Sequence, residues 1–251
     1  CPEARVYAVV SGTLSRETSL ADDLSQALGD RLVGVFDTMG AHTPRSDVLQ
    51  ALTQARAGNA DVLLAVGGGS MIDACKVIQF CLNAGIENEA ELLRHAQFSD
   101  GSRGDLCGTG PKLQRRNPAY QIAVPTTLSA AEFSNNAGVT DTVKGAKEGY
   151  KAPGLAPRQI IYDPVLALHT PVWLWLSTAI RALDHAIEGY CSADAHAYVQ
   201  GHYLHAMRLF AESLPAAKAN PYDRDARTRN QQAAWLSGCG LGRVAHGASH
   251  G

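Results

Sequence analysis

The chain has 251 residues, 45% hydrophobic and 18% charged, enough apolar material for one large or two modest packed domains at roughly 150 residues each. That composition excludes disorder and collagen-like repeats. With 22 Lys and Arg against 24 Asp and Glu the formal net charge is −2, which argues against a nucleic-acid or acidic-surface binder. No run reaches the ~18 unbroken apolar residues of a membrane span.

In chain order, Arg5 to Val10 (RVYAVV) reads as a buried strand and Ser19 to Leu28 as a helix with Leu at helical spacing. Arg31 to Phe36 (RLVGVF) is a second strand, Val48 to Ala57 a helix, Asp61 to Val66 (DVLLAV) a third strand and Met71 to Leu82 a helix. Gln121 to Val124 and Gln159 to Tyr162 read as further strands, and Gln97 to Asn117, with four glycines and four basic residues, as a surface loop. Strand–helix alternation with continuous apolar strands predicts a parallel sheet covered on both faces. From Pro164 no strand is expected, only amphipathic helices punctuated by Pro171, Pro215 and Pro221. The expected organisation is an α/β domain over 1–163 and an all-helical domain over 164–251.

Cys1, Cys75, Cys81, Cys107, Cys191 and Cys239 form no CxxC pair, which predicts reduced cytoplasmic thiols rather than a disulfide framework or zinc ribbon. No signal peptide is visible. The chain starts with Cys1 and stops at Ser249-His250-Gly251 within a patterned segment, so residues are expected beyond both ends.

Gly67-Gly68-Gly69-Ser70 follows a strand and opens a helix. Glycines let backbone approach a phosphate, and the unpaired amides and positive dipole end of the helix attract the anion. A plain glycine turn is the other reading, since the segment lacks the GxGxxG fingerprint.

Two longer segments go further: Gly67 to Lys76 (GGGSMIDACK), and Pro125-Thr126-Thr127-Leu128-Ser129-Ala130-Ala131-Glu132. Together they resemble the iron-containing (group III) alcohol dehydrogenase family, which carries GGGSxxDxxK and later a PTT segment leading to a glutamate. That stretch is one residue shorter here than in the typical alcohol dehydrogenases. With Pro125 to Asp141, Leu155 to Pro164 and Ser177 to Glu188 (STAIRALDHAIE), the chain looks most like the maleylacetate reductase branch. Family members run longer, with a C-terminal helical part and an N-terminal strand that have no counterpart here.

The resemblance implies a Rossmann-like parallel-sheet domain followed by a helical domain, of dehydroquinate synthase-like architecture. It also implies a nicotinamide-dependent oxidoreductase with its cofactor in the cleft between the domains, working as a cytoplasmic homodimer without nucleic-acid or membrane partners. Gly67, Gly68, Gly69 and Ser70 would hold the pyrophosphate, Thr126 and Thr127 would contact the nicotinamide side, and Lys147 would match a lysine near the cofactor ribose. Asp73 would brace the glycine loop. Where many members have an acidic residue for the adenosine ribose, this chain has Ser11; losing that carboxylate removes repulsion against a 2′-phosphate, so NADP(H) stands beside NAD(H).

Metal-dependent members bind their ion with Asp and His four apart on one helix and two later histidines. Here His185 fits the first histidine, but the Asp position holds Arg181, and a guanidinium cannot ligate a cation. Asp184, next to His185, would point about 100° away on a helix. His246 falls at the third ligand position and His250 at a histidine near the substrate. The expectation is therefore no required metal; if one is bound, His185 and His246 hold it. A fixed bidentate cation at Arg181 suits a dicarboxylate, and Glu188 is expected to orient the His185 ring. His196, His202 and His205 read as hydrogen-bonded or surface histidines.

The expected reaction is reduction of maleylacetate, or a related oxo-dicarboxylate, to 3-oxoadipate in aromatic-compound degradation. Histidine N–H groups and arginine would stabilise charge on the ketone oxygen, and His250 or His246 would supply the proton. The alternatives are a metal-dependent alcohol dehydrogenase using Fe or Zn and a non-catalytic nucleotide-binding protein.

Overall fold

The computed structural model describes residues 3–109, 114–115 and 117–247. The chain divides into two compact units, Cys1–Val124 with Asn135–Ile161, and Pro125–Ser134 with Tyr162–Gly251. The boundary differs from a single break at residue 163. The Pro125–Ser134 segment, placed in the α/β domain by its position after a strand, belongs with the helices because Leu128 is fully buried in their core.

In the first unit the elements run β1 (Val6–Val10), α1 (Gly12–Glu17), α2 (Leu20–Leu28), β2 (Leu32–Phe36), α3 (Arg45–Ala57) and β3 (Val62–Gly67). There follow α4 (Gly69–Ala84), α5 (Glu89–Leu93), β4 (Gln97–Phe98), β5 (Tyr120–Pro125), β6 (Asn136–Asp141), β7 (Ala146–Lys151) and β8 (Gln159–Ile160). The main sheet has the order β2-β1-β3-β5-β8. β1 pairs in parallel with both β2 and β3, and β5 with β8. Every residue of β1 is buried, as a strand between two others and covered on both faces must be. The order reverses between β1 and β3, so their C-terminal ends flank the switch point at which open α/β sheets bind ligands.

Helix α4 is buried through most of its length, ending on Gly85 in the left-handed conformation (φ 69°), a standard glycine stop. Burial all round explains why its sequence is apolar on more than one face.

A second, antiparallel sheet, β4-β7-β6, has no counterpart in the sequence reading. The Gln97–Asn117 stretch, expected to be loop alone, begins with β4, paired to β7 through Gln97↔Gly149 and Phe98↔Glu148. β6 and β7 pair over Asn136↔Lys151 to Asp141↔Ala146. Asp73 does not brace the glycine loop. Its carboxylate accepts the Gly138 N–H at 3.0 Å and lies 3.3 Å from Lys76 Nζ, which itself donates to the Asn136 carbonyl at 2.6 Å. The pair ties α4 to β6. Burial holds the Asp73 carboxyl above its ordinary range, against the opposing pull of Lys76, the Gly138 N–H and Lys147.

The second unit contains α6 (Pro164–Ala167), α7 (Val172–Cys191), α8 (Ala197–Ala219) and α9 (Arg224–Gly238). Asp163 caps α6 by accepting the Val165 and Leu166 N–H groups, and Asp223 caps α9 through the Ala226 N–H, the side-chain solution to a helix's unpaired first amides. Trp175, Phe210 and the alanines Ala179, Ala182, Ala233 and Ala234 form its core. Pro215 does not punctuate: it lies inside α8. Phe210, Ser213 and Ala217 are buried on either side of it, so tertiary packing overrides the local cost of a helical proline. Among the described residues no helix is long and apolar enough to cross a membrane.

Candidate functional site

The glycine segment sits where the sheet order reverses. Gly67 closes β3 with φ 152°, a left-handed conformation, and an added Cβ would stand 2.8 Å from Met71 Sδ and 3.2 Å from Ser11 Cβ. Only glycine fits. Gly68 caps α4 without any side-chain cap, leaving backbone amides of the first turn for an anion. Gly67→Ala is expected to cost about 1–3 kcal/mol of stability, the usual range for forced backbone strain; denaturant unfolding measures it, and an unchanged midpoint would refute the strain.

Ser11, at the end of β1, donates its N–H to the Val66 carbonyl at 2.8 Å, which holds it beside the glycine bend. Ser70, in the first turn of α4, accepts the His42 N–H on its hydroxyl at 3.1 Å, and its carbonyl accepts Thr43 Oγ1 at 3.3 Å. Lys147 is exposed on β7, opposite Thr140 of β6 in the ladder register. Thr140 in turn donates Oγ1 to the His42 carbonyl at 2.7 Å. Ser70 and the β6–β7 hairpin that carries Lys147 are thus linked within the α/β unit through the His42–Thr43 loop, a connection the sequence does not announce.

In the helical unit Thr126 and Thr127 are both buried. The Thr126 carbonyl accepts Thr170 Oγ1 at 2.6 Å, and the Leu128 N–H donates to Thr178 Oγ1 at 3.1 Å. Behind Thr170 lies Arg227, 1% exposed, donating Nη2 to the Thr170 carbonyl at 3.3 Å and Nε to the Pro221 carbonyl at 3.1 Å. Its guanidinium stacks on Trp175, 4.3 Å from the ring centroid, and burial lowers its pKa to about 10. Thr170, Thr178 and Arg227 escaped the sequence reading. A buried arginine in a polar helical stretch (RDARTRNQQ) gives no signal of its own.

His185 is buried on α7, and its ring lies 6.0 Å from that of His246, perpendicular to it. His246 Nδ1 donates to the Val244 carbonyl at 3.1 Å, since a carbonyl can only accept. Glu188 Oε2 accepts the Gly247 N–H at 3.2 Å, tying α7 to the segment that carries His246. Arg181 is exposed, one turn before His185. His250 lies outside the described residues. His202 donates Nδ1 to the Tyr198 carbonyl at 2.7 Å and borders a cavity of about 240 Å³ with Phe133, Cys239 and Arg243. None of the expected site residues lines that cavity.

Among the described residues no group of three His, Cys, Asp or Glu side chains could hold a divalent cation, and Arg181, whose guanidinium cannot ligate one, stands one turn before His185. The Gly67 bend, by contrast, has a positive φ and tight neighbours that exclude a side chain, leaving only backbone at the start of α4.

Residues 2–164 match the family model of iron-containing alcohol dehydrogenase, and residues 175–251 match that of the C-terminal region of the Fe-containing alcohol dehydrogenase family. Dehydrogenase FUM7 of Gibberella moniliformis is 33% identical, the match covering 98% of this chain and 60% of that protein. Maleylacetate reductase 1 of Cupriavidus pinatubonensis is 29% identical, over 98% and 59%. The crystal structure of maleylacetate reductase from Agrobacterium tumefaciens superposes with a TM-score of 0.76 at 26% identity, over 98% of this chain and 59% of that one. The chain spans about three-fifths of the length of each of these relatives.

Proposed function

The chain belongs to the iron-containing alcohol dehydrogenase family, in its maleylacetate reductase-like branch, and on that premise we propose that it acts as an NAD(P)H-dependent oxidoreductase on maleylacetate or a related oxo-dicarboxylate. The observation that carries the reading is the Gly67 bend at the sheet's switch point, which only a glycine can make and which opens on an uncapped helix. Gly67, Gly68, Gly69 and Ser70 hold the diphosphate, with Ser11 and Lys147 toward the ribose, and Thr126 and Thr127 serve the nicotinamide.

Bound nicotinamide supplies the hydride. Reducing a double bond conjugated to a ketone places negative charge on the ketone oxygen, and a preorganised N–H donor stabilises it. Of the two imidazoles, His246 has its Nδ1–H committed to the Val244 carbonyl, so as an imidazolium it would give its Nε2 proton to complete the reduction and be left as the neutral Nδ1–H ring, with His185 as its neighbour. Arg181, exposed one turn from His185, presents a fork that matches a substrate carboxylate. No step needs a metal.

The test is a spectrophotometric assay of maleylacetate, other oxoacids and primary alcohols with NADH and NADPH, each with and without EDTA. Reduction of the oxo-dicarboxylate, unchanged by chelation, is expected. Loss of activity on chelation, restored by Fe²⁺ or Zn²⁺, would overturn the metal-free reading in favour of metal-assisted alcohol oxidation. Failure to bind either cofactor would overturn the oxidoreductase reading itself.

A further inference from the structure

His42 and Thr43 occupy the left-handed region in succession, at φ 62° and 57°. Neither is glycine, Thr43 is β-branched, and Thr43 precedes Pro44, each a reason for such a backbone to be avoided. Strain of this kind persists only where surrounding structure imposes it, and it gathers at functional sites.

What imposes it is Thr140. Its Oγ1 donates to the His42 carbonyl at 2.7 Å and its N–H donates to the Thr43 carbonyl at 2.9 Å. Strand β6 therefore grips both strained carbonyls. What the strain delivers is a pair of contacts on one residue: the His42 N–H to Ser70 Oγ at 3.1 Å and Thr43 Oγ1 to the Ser70 carbonyl at 3.3 Å. A serine hydroxyl can donate one hydrogen and accept at two lone pairs. Held as an acceptor by a backbone N–H, Ser70 has its own proton left to give, in the first turn of a helix that no side chain caps.

We propose that the strained His42–Thr43 loop, clamped by Thr140, is a positioning device that commits the Ser70 hydroxyl to donating to the diphosphate of a bound nucleotide. The inference rests on the reading of the Gly67 bend as a nucleotide cradle and adds three positioning residues to it. The same hairpin carries Lys147 opposite Thr140, so the element that sets the donor also brings a cation.

ADP and adenosine separate the roles, because they differ only in the diphosphate; both are titrated against the full chain by ligand-observed NMR. Thr140→Val removes the hydroxyl at nearly constant shape. It is expected to weaken ADP about tenfold, the worth of one charge-assisted hydrogen bond set in place, while adenosine changes less than about twofold, and Thr140→Ser restores ADP binding. His42→Gly, at an exposed position, relaxes the backbone and is expected to melt no lower than the parent yet bind ADP about threefold more weakly. Should Thr140→Val not fold, His42→Gly decides alone. Unchanged ADP affinity in the folded variants, or equal losses for ADP and adenosine, would overturn the inference while leaving the cradle standing. If the parent chain binds neither probe, the cradle and the inference fall together.

Discussion

His246→Ala and His185→Ala are each expected to lower turnover by about two to four orders of magnitude, the range for loss of a positioned proton donor, while NADPH binding stays within about twofold. The two rings lie 6.0 Å apart and perpendicular, an edge-to-face arrangement that fixes each against the other. His185 is buried on α7, whereas His246 hangs on a segment held by its own bond to Val244 and by the Glu188–Gly247 contact. Removing either ring loosens the other, so the double variant should lose little more than the worse single one, as groups that act as a unit do. Cofactor affinity is the control. On the proposed function it comes from the glycine bend in the α/β unit, so a stopped-flow measurement should find NADPH bound and hydride transfer slowed. Turnover within a few-fold of the parent in both variants would remove the imidazoles from the mechanism.

Much of the α/β unit could be read from the chain because its signals are local. Continuous burial makes β1 and β3 apolar without interruption, and the glycine bend announces itself since no other residue can adopt φ 152° beside Met71 and Ser11. The β6–β7 hairpin could not be read, for a physical reason. Its inward positions are Ala137, Val139, Asp141, Glu148 and Tyr150, so two charges stand where alternation needs apolar residues. Those charges are tolerated only because Arg45, about a hundred positions earlier, meets them. The Pro125–Ser134 segment hides its allegiance in the same way. It follows β5 without a break, yet Thr170 and Thr178 hold its backbone, and both lie more than forty residues further on. His185 and His246 could be proposed from a family pattern, but their perpendicular pairing depends on a chain segment folding back over α7.

Arg45→Met should cost about 3–5 kcal/mol of stability at neutral pH, the scale for stripping a buried charge of its partner. Arg45 is the first residue of α3, where the helix dipole disfavours a cation; its place there is explained by the acids it meets. Its guanidinium bonds Glu148, lies 3.1 Å from Asp141 and 2.7 Å from Glu89, and Tyr150 completes the Glu148 environment by donating its hydroxyl at 3.0 Å. The Glu148 side chain is only 3% exposed. Burial holds its carboxyl above the usual range, and Arg45 pulls it back; without Arg45 it must rise further. A carboxyl whose pKa is raised by folding contributes stability below its unfolded value and loses it as pH rises through the folded one. Asp141 shifts the opposite way, held down first by the Lys144 N–H and then by Arg45, so it stays ionised beside Glu148 and adds repulsion. The deficit of Arg45→Met should therefore shrink on acidification, as Glu148 takes up a proton, and Glu148→Gln in the same background should recover most of it. Urea unfolding of parent and variants at about pH 7 and about pH 5 reads the difference directly; a deficit equal at both values would mean that an uncompensated Glu148 charge is not what the substitution exposes.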